Sequence, residues 1–207
     1  MSKAKIKVIL FDLGNVLVDF DLKPAVERIS RFCSKSPDEI FSLFFDSCLT
    51  SSFEKGKLSP EEFYKQTKEM LDLKLSYESF VPIWNEIFFF SSKNRSVYHI
   101  ANLLKKHYRI ALLSNTNILH YGHIKNSFPI FNVFEKLFLS FEIGAAKPDK
   151  IIYSKVIEVL GVLPENIFYT DDRSELVDSA SRLGIKSFVF TSTEQLIKDL
   201  FSLNIVL

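Results

Sequence analysis

The chain is expected to fold as a doubly wound parallel α/β sheet with an inserted helical cap. Three observations carry this expectation. The runs Val8-Ile9-Leu10-Phe11, Ile110-Ala111-Leu112-Leu113 and Ile167-Phe168-Tyr169 are apolar without alternation, as strands buried on both faces are. From residue 109 onward, strand-like and helix-like segments alternate at short spacing, the pattern of successive right-handed crossovers. The first two runs, by contrast, stand much further apart than a crossover needs, so something else folds between them.

Taken in order, a first strand is expected at residues 5–11. The segment Pro37-Asp38-Glu39-Ile40-Phe41-Ser42-Leu43-Phe44 has helical apolar spacing with acids in its first turn. Ser59-Pro60-Glu61-Glu62 opens another helix, with Ser as cap and Pro at the first position, and Leu71, Leu73 and Leu75 end that stretch. Residues 77–87 read as a third helix despite Pro82, and residues 94–106 as the helix leading back to the sheet. The second strand, 109–113, is followed by a helix from about Ile118 and a short strand at 136–139. A helix at 149–160 closes at Gly161 and leads to a strand at 167–170. A helix at 174–183, a strand at 186–190 and a helix at 193–201 complete the chain. The expected division is a core of residues 1–17 and 92–207 and a helical cap of residues 18–91.

With 207 residues, 47% of them apolar, the chain can bury a sizeable core. A formal net charge of +1, with acids and bases interspersed, points away from nucleic acid and from an anionic membrane as partners. Two cysteines, Cys33 and Cys48, are too few for a disulfide framework and lack metal-ligand spacing, which suits a reducing, cytoplasmic setting. The apolar run before Asp12 is too short for a signal-peptide core, and no run reaches membrane-spanning length. The 21 phenylalanines, densest at Phe44-Phe45 and Phe88-Phe89-Phe90, are read as core and inter-domain packing.

Chemistry collects where the strands end. Asp12 follows the first strand, Ser114 the second, and Asp171 and Asp172 the strand near 167, while Lys147-Pro148 precedes a helix. In an open α/β sheet these carboxyl ends converge on one crevice. Three crowded carboxylates raise each other's pKa unless a cation neutralises them, and oxygen donors without His or Cys favour Mg²⁺ over zinc. A hydroxyl and an ammonium that hold anionic oxygens complete a site suited to phosphoryl transfer, with Asp12 as nucleophile.

The order Asp, Ser, Lys, Asp-Asp resembles the four motifs of the haloacid dehalogenase-like (HAD) hydrolases over nearly the whole chain. Phe-Asp-Leu-Gly-Asn-Val at 11–16, Leu-Ser-Asn-Thr-Asn at 113–117 and Lys-Pro-Asp-Lys-Ile-Ile-Tyr at 147–153 resemble the branch of the α-D-glucose-1-phosphate phosphatases. The resemblance implies a Rossmann-like core and a Mg²⁺-dependent phosphomonoester hydrolase acting on a small phosphorylated metabolite such as a sugar phosphate. It implies an aspartyl-phosphate on Asp12, which also binds Mg²⁺. Asp172 would be a direct metal ligand and Asp171 a direct or water-mediated one. Ser114 and Asn115 would hold phosphate oxygens, and Lys147 would be counter-ion to phosphate and Asp12.

Gly14 departs from the pattern, because most phosphatases of this superfamily carry there a second Asp that protonates the leaving oxygen. Its carbonyl still serves the metal, while general acid catalysis loses its usual residue. Asp19 and Asp21 stand at the hinge as replacements, against the plainer reading of solvated hinge acids. His120 is a candidate substrate contact, and Glu54-Lys55-Gly56 resembles a cap-loop word of this branch, though a surface turn reads equally well. Two rival functions follow: a metal-free 2-haloacid dehalogenase, which the Asp171-Asp172 pair disfavours, and a non-catalytic metabolite-binding protein, which Gly14 favours.

Overall fold

The computed structural model describes residues 5–207, so residues 1–4 of the expected core lie outside the described residues. The sheet strands are β1 (Val8–Phe11), β4 (Arg109–Ser114), β5 (Lys136–Leu139), β6 (Ile167–Asp171) and β7 (Lys186–Val189). A second pair, β2 (Asp19–Phe20) and β3 (Phe88–Phe89), forms a separate ribbon. The main sheet has the order β5-β4-β1-β6-β7 and is parallel throughout. Chain order runs outward from β1 to β5 and then returns to the other side of β1. The reversal places a crevice at the carboxyl ends of β4, β1 and β6.

Alternation along each strand supplies two apolar faces. Ile9, Phe11, Ile110, Leu112 and Phe168 point to one side, where they pack with Val97 and Leu104 of α6 (Ser92–Leu104), Ile124 of α7 (Ile118–Ser127) and Leu196 and Leu200 of α11 (Thr193–Ser202). Val8, Leu10, Ala111, Leu113 and Tyr169 point to the other, against Ile152, Tyr153 and Val156 of α9 (Lys150–Leu160) and Ala180 of α10 (Ser174–Ser181). Both faces are dry, which is why these strands are continuously apolar in sequence.

Between β1 and β4 lie α1 (Lys23–Ser30), α2 (Pro37–Asp46), α3 (Cys48–Glu54), α4 (Pro60–Leu71) and α5 (Tyr77–Asn85). They build a hydrophobic centre of their own from Leu22 to Ile87, with Phe44, Phe53, Phe63, Phe80 and Trp84 in mutual ring contact. Ser36 and Ser59 each form a capping box, with Glu39 and Glu62, so α2 and α4 start where local chemistry satisfies their first N–H groups. Helices α1, α3 and α8 (Ser140–Ile143) and the ribbon have no counterpart among the elements expected from the sequence. The ribbon joins the two chain crossings, pairing Asp19 with Phe89 and Phe20 with Phe88. Across the molecule, α3 packs on α8, the turn that follows β5.

Candidate active site

Lys147 is the hub of the crevice. Its Nζ lies 2.6 Å from Asp12 Oδ1 and 2.6 Å from Asp171 Oδ2, and it donates to the Leu113 carbonyl at 3.2 Å. All three charged side chains are nearly or wholly buried. Burial lowers the ammonium's affinity for its proton, but Asp12 and Asp171 outweigh burial and hold the Lys147 pKa above its ordinary value. Burial, then the Asp171 charge, pushes the Asp12 carboxyl up to about 7, with Lys147 opposing the rise.

The backbone reasons for this convergence are local. β1 and β6 are paired so that the Asp12 N–H donates to the Thr170 carbonyl at 3.0 Å, setting the two acidic strand ends side by side. Tyr169 and Asp171 are two residues apart on one strand and share a face, so the Tyr169 hydroxyl donates to Asp171 Oδ2. The other Asp171 oxygen accepts the Arg173 N–H at 3.0 Å. Asp172, one residue on, leaves in another direction and accepts from Asn15 Nδ2 at 2.9 Å. Asn15 reaches it from a left-handed turn, φ 55, in which the Asn15 N–H donates to the Val18 carbonyl.

Oxygen atoms of Asp12, Asp171 and Asp172 lie within 4.8 Å of one another. Three carboxylates meet one buried ammonium, so two negative charges remain uncompensated among hard oxygen donors. That donor set fits Mg²⁺.

Ser114 is buried at the end of β4, its hydroxyl 3.4 Å from the Asn115 carbonyl. The Asn115 side chain is engaged within the protein. Its side-chain amide donates to the Lys147 carbonyl at 2.8 Å and accepts the Lys147 N–H at 2.8 Å. The amide therefore clamps the Lys147 loop onto β4, and phosphate binding would fall to the Asn115 backbone N–H. The Thr116 N–H is committed to Ser140 Oγ, which in turn donates to the Thr116 carbonyl.

Gly14 has ordinary backbone geometry, and Phe20 leans over the space its side chain would take. The hinge acids are otherwise engaged. Asp19 is held by Lys93 at 2.6 Å, Ser91 at 2.7 Å and Asn94 at 3.2 Å, and those bonds outweigh burial and keep its pKa low. Asp21 accepts the Lys23 N–H at the start of α1. His120 is buried, bonded to Asn117 and the Trp84 carbonyl and stacked on Trp84, and burial lowers its pKa to about 3. It is a neutral packing residue between α5 and α7.

Asn15, Lys93 and Tyr169 join the site without having been candidates from the sequence. Asn15 sits inside the Asp-Leu-Gly-Asn-Val word and Tyr169 inside Tyr-Thr-Asp-Asp, so both lay in motifs already marked, whereas nothing local marks Lys93.

The family model for haloacid dehalogenase-like hydrolases matches residues 6–184. A D-ribitol-5-phosphate phosphatase of Bacteroides thetaiotaomicron is 30% identical over 190 residues, 88% of this chain and 91% of its own. A wild-type HAD family enzyme of Bacteroides thetaiotaomicron, solved in complex with magnesium and inorganic phosphate, superposes with a TM-score of 0.79 at 30% identity, over 90% of this chain and 95% of that one. A predicted HAD-like family hydrolase of Porphyromonas gingivalis shares the fold, with a TM-score of 0.80 at 24% identity over 97% and 98% of the two chains.

Proposed function

This chain belongs to the haloacid dehalogenase-like hydrolases, and from that premise we propose that it hydrolyses phosphate monoesters of small, hydroxyl-rich metabolites, sugar or polyol phosphates, with Mg²⁺. The observation that carries the reading is the Lys147 ammonium held between Asp12 and Asp171 beside Asp172. A metal-free dehalogenase gains nothing from two further carboxylates beside its nucleophile, and this arrangement would cost it desolvation. The phosphatase among the relatives and the magnesium and phosphate held by the solved relative support the same reading.

In this reading Asp12 attacks phosphorus along the line of the departing oxygen. Lys147 opposes the burial and the Asp171 charge that raise the Asp12 pKa, which favours the ionised nucleophile, and it offsets charge on the phosphate. The Ser114 hydroxyl and the Asn115 N–H hold phosphate oxygens, and the Asn115 side chain fixes Lys147 through its backbone. Asp12, the Gly14 carbonyl and Asp172 would hold Mg²⁺, with Asp171 acting through water because both of its oxygens already have protein partners. Bound there, Mg²⁺ supplies charge neutralisation and in-line alignment of the transferring group. Residues 18–91 act as the cap that selects the alcohol part, hinged on the Asp19–Phe20 and Phe88–Phe89 ribbon.

A screen of phosphorylated metabolites, sugar and polyol phosphates included, in Mg²⁺ and in EDTA tests this directly. Expected is phosphate release that depends on Mg²⁺ and ranks polyol or sugar phosphates first. Binding of these esters without phosphate release would instead identify the non-catalytic protein that Gly14 suggests.

A further inference from the structure

Glu54 stands where the charges of Lys147 and Arg173, at the crevice, act on its carboxyl. It ends α3, and the turn after it is pressed onto the core: Gly56 adopts φ +64, and a Cβ there would stand 2.2 Å from the Phe141 carbonyl oxygen of α8. That approach admits only glycine, so the Glu54-Lys55-Gly56 turn is seated against the core. Ser140 of the same helix holds the Thr116 turn just after Ser114, which ties the seat of Glu54 to the phosphate end of the crevice. Glu54 makes no hydrogen bond among the described residues.

The remaining carboxyls around the crevice are accounted for. Asp171 and Asp172 carry the bonds described above, Asp19 is held by Lys93, Asp21 accepts the Lys23 N–H, and Glu175 pairs with Arg173 at 2.5 Å. Gly14 has no side chain. The geometry points to Glu54, resting on the phosphatase reading above, as the group that protonates the leaving oxygen: a cap residue doing the work of the missing side chain at position 14.

The step balances. Asp12 Oδ forms a bond to phosphorus, the ester P–O bond breaks, and its electron pair goes to the leaving oxygen, which takes the Glu54 proton. In the second step the Glu54 carboxylate accepts a proton from the water that attacks the aspartyl-phosphate. The P–O bond to Asp12 then breaks, and Asp12 and Glu54 return to their starting forms. Burial pushes the Glu54 carboxyl up to about 7 against the pull of Arg173, Lys147 and Lys55, so a protonated fraction exists at neutral pH. From α8, Glu142 is exposed to solvent.

The test uses the full chain in Mg²⁺ and two esters of unequal leaving group. Phenyl phosphate releases a basic phenolate that needs a proton, and 2,4-dinitrophenyl phosphate releases one that does not. First-turnover rates separate attack by Asp12 from the later hydrolysis. Glu54→Gln should lose roughly 10²-fold or more on phenyl phosphate and at least about ten times less on the dinitrophenyl ester. In the unmodified protein, the ratio of the two rates should widen as pH rises through about 7, where Glu54 gives up its proton. Equal losses on the two esters, no loss on phenyl phosphate, or a wild-type ratio that does not change across that pH would each overturn the assignment. Failure of the wild-type protein to turn over even the dinitrophenyl ester would overturn the phosphatase reading instead. The wild-type pH measurement decides the point even if Glu54→Gln does not fold.

Discussion

A Cβ placed on Gly14 would stand 3.1 Å from Cε1 of Phe20, the aromatic residue of the hinge ribbon. Phe20 meets Phe88 edge-on across that ribbon, with ring centroids 6.2 Å apart. The hinge ring thus covers the place where a side chain at position 14 would stand. A side chain at position 14 therefore requires the Phe20 ring to shift by a few tenths of an ångström.

This relationship yields a stability cycle. Gly14 does not have a positive φ, so Gly14→Ala costs no backbone strain, and the cost expected is overpacking of about 1–3 kcal/mol. In a Phe20→Leu background the same change should cost clearly less. Urea melts of the four proteins measure the coupling, and additive costs would show that Phe20 does not occupy the space.

Asp12→Asn should keep the fold and lower turnover by about three orders of magnitude or more, because a neutral amide does not attack phosphorus. Circular dichroism and steady-state kinetics check this together. A variant that retained a tenth of wild-type turnover would remove Asp12 from the nucleophile role.

Lys147→Met strips the buried carboxylates of their only ion-pair partner among the described residues. Breaking a buried pair from one side costs about 3–5 kcal/mol, so the variant should melt well below wild type in EDTA. Mg²⁺ should recover more of that loss than it adds to wild type, since a dication is the other way to neutralise the cluster. Melting curves with and without Mg²⁺ give both numbers, and equal Mg²⁺ shifts would argue against shared electrostatics.

Asp172 and Ser114 are expected to separate in a Mg²⁺ titration of activity. Asp172→Ala should raise the Mg²⁺ concentration for half-maximal rate strongly. Ser114→Ala should lower the rate with little change in that midpoint. Matching shifts would count against the division of roles between metal and phosphate.

Gly56→Ala should disturb the cap seat on the core. Its Cβ meets a backbone oxygen, so the turn has to move, and both the left-handed φ and the clash oppose the substitution. Loss of about 1 kcal/mol or more of stability is expected, with a larger fall in kcat/KM on metabolites than Lys55→Ala produces. Urea melts and kinetics on both variants check it.

Much of this was legible in the chain. The five core strands and most helices begin and end within a few residues of the sequence expectation, because apolar runs, Ser caps and helix-ending glycines act over a few neighbouring residues. Helix α1 was also there to find, in the spacing of Leu22, Ala25, Val26 and Ile29. Helix α3 was not, since Cys48-Leu-Thr-Ser-Ser-Phe-Glu has little helical preference and takes its form from packing against α2, α4 and α8.

The sequence by itself determined which residues end the strands, and in a parallel sheet that selects the membership of the crevice. Only the tertiary structure decided the partners. Lys147 reaches Asp12 across 135 residues and Asn15 reaches Asp172 across 157, distances set by strand order and register, to which no local preference contributes. For the same reason the Asn115 amide is spent on the Lys147 backbone and Asp19 on Lys93, while Glu54 has no hydrogen-bond partner among the described residues. Hydrogen bonds and ion pairs depend on positions in space to within fractions of an ångström, and a sequence fixes those positions only through the whole fold.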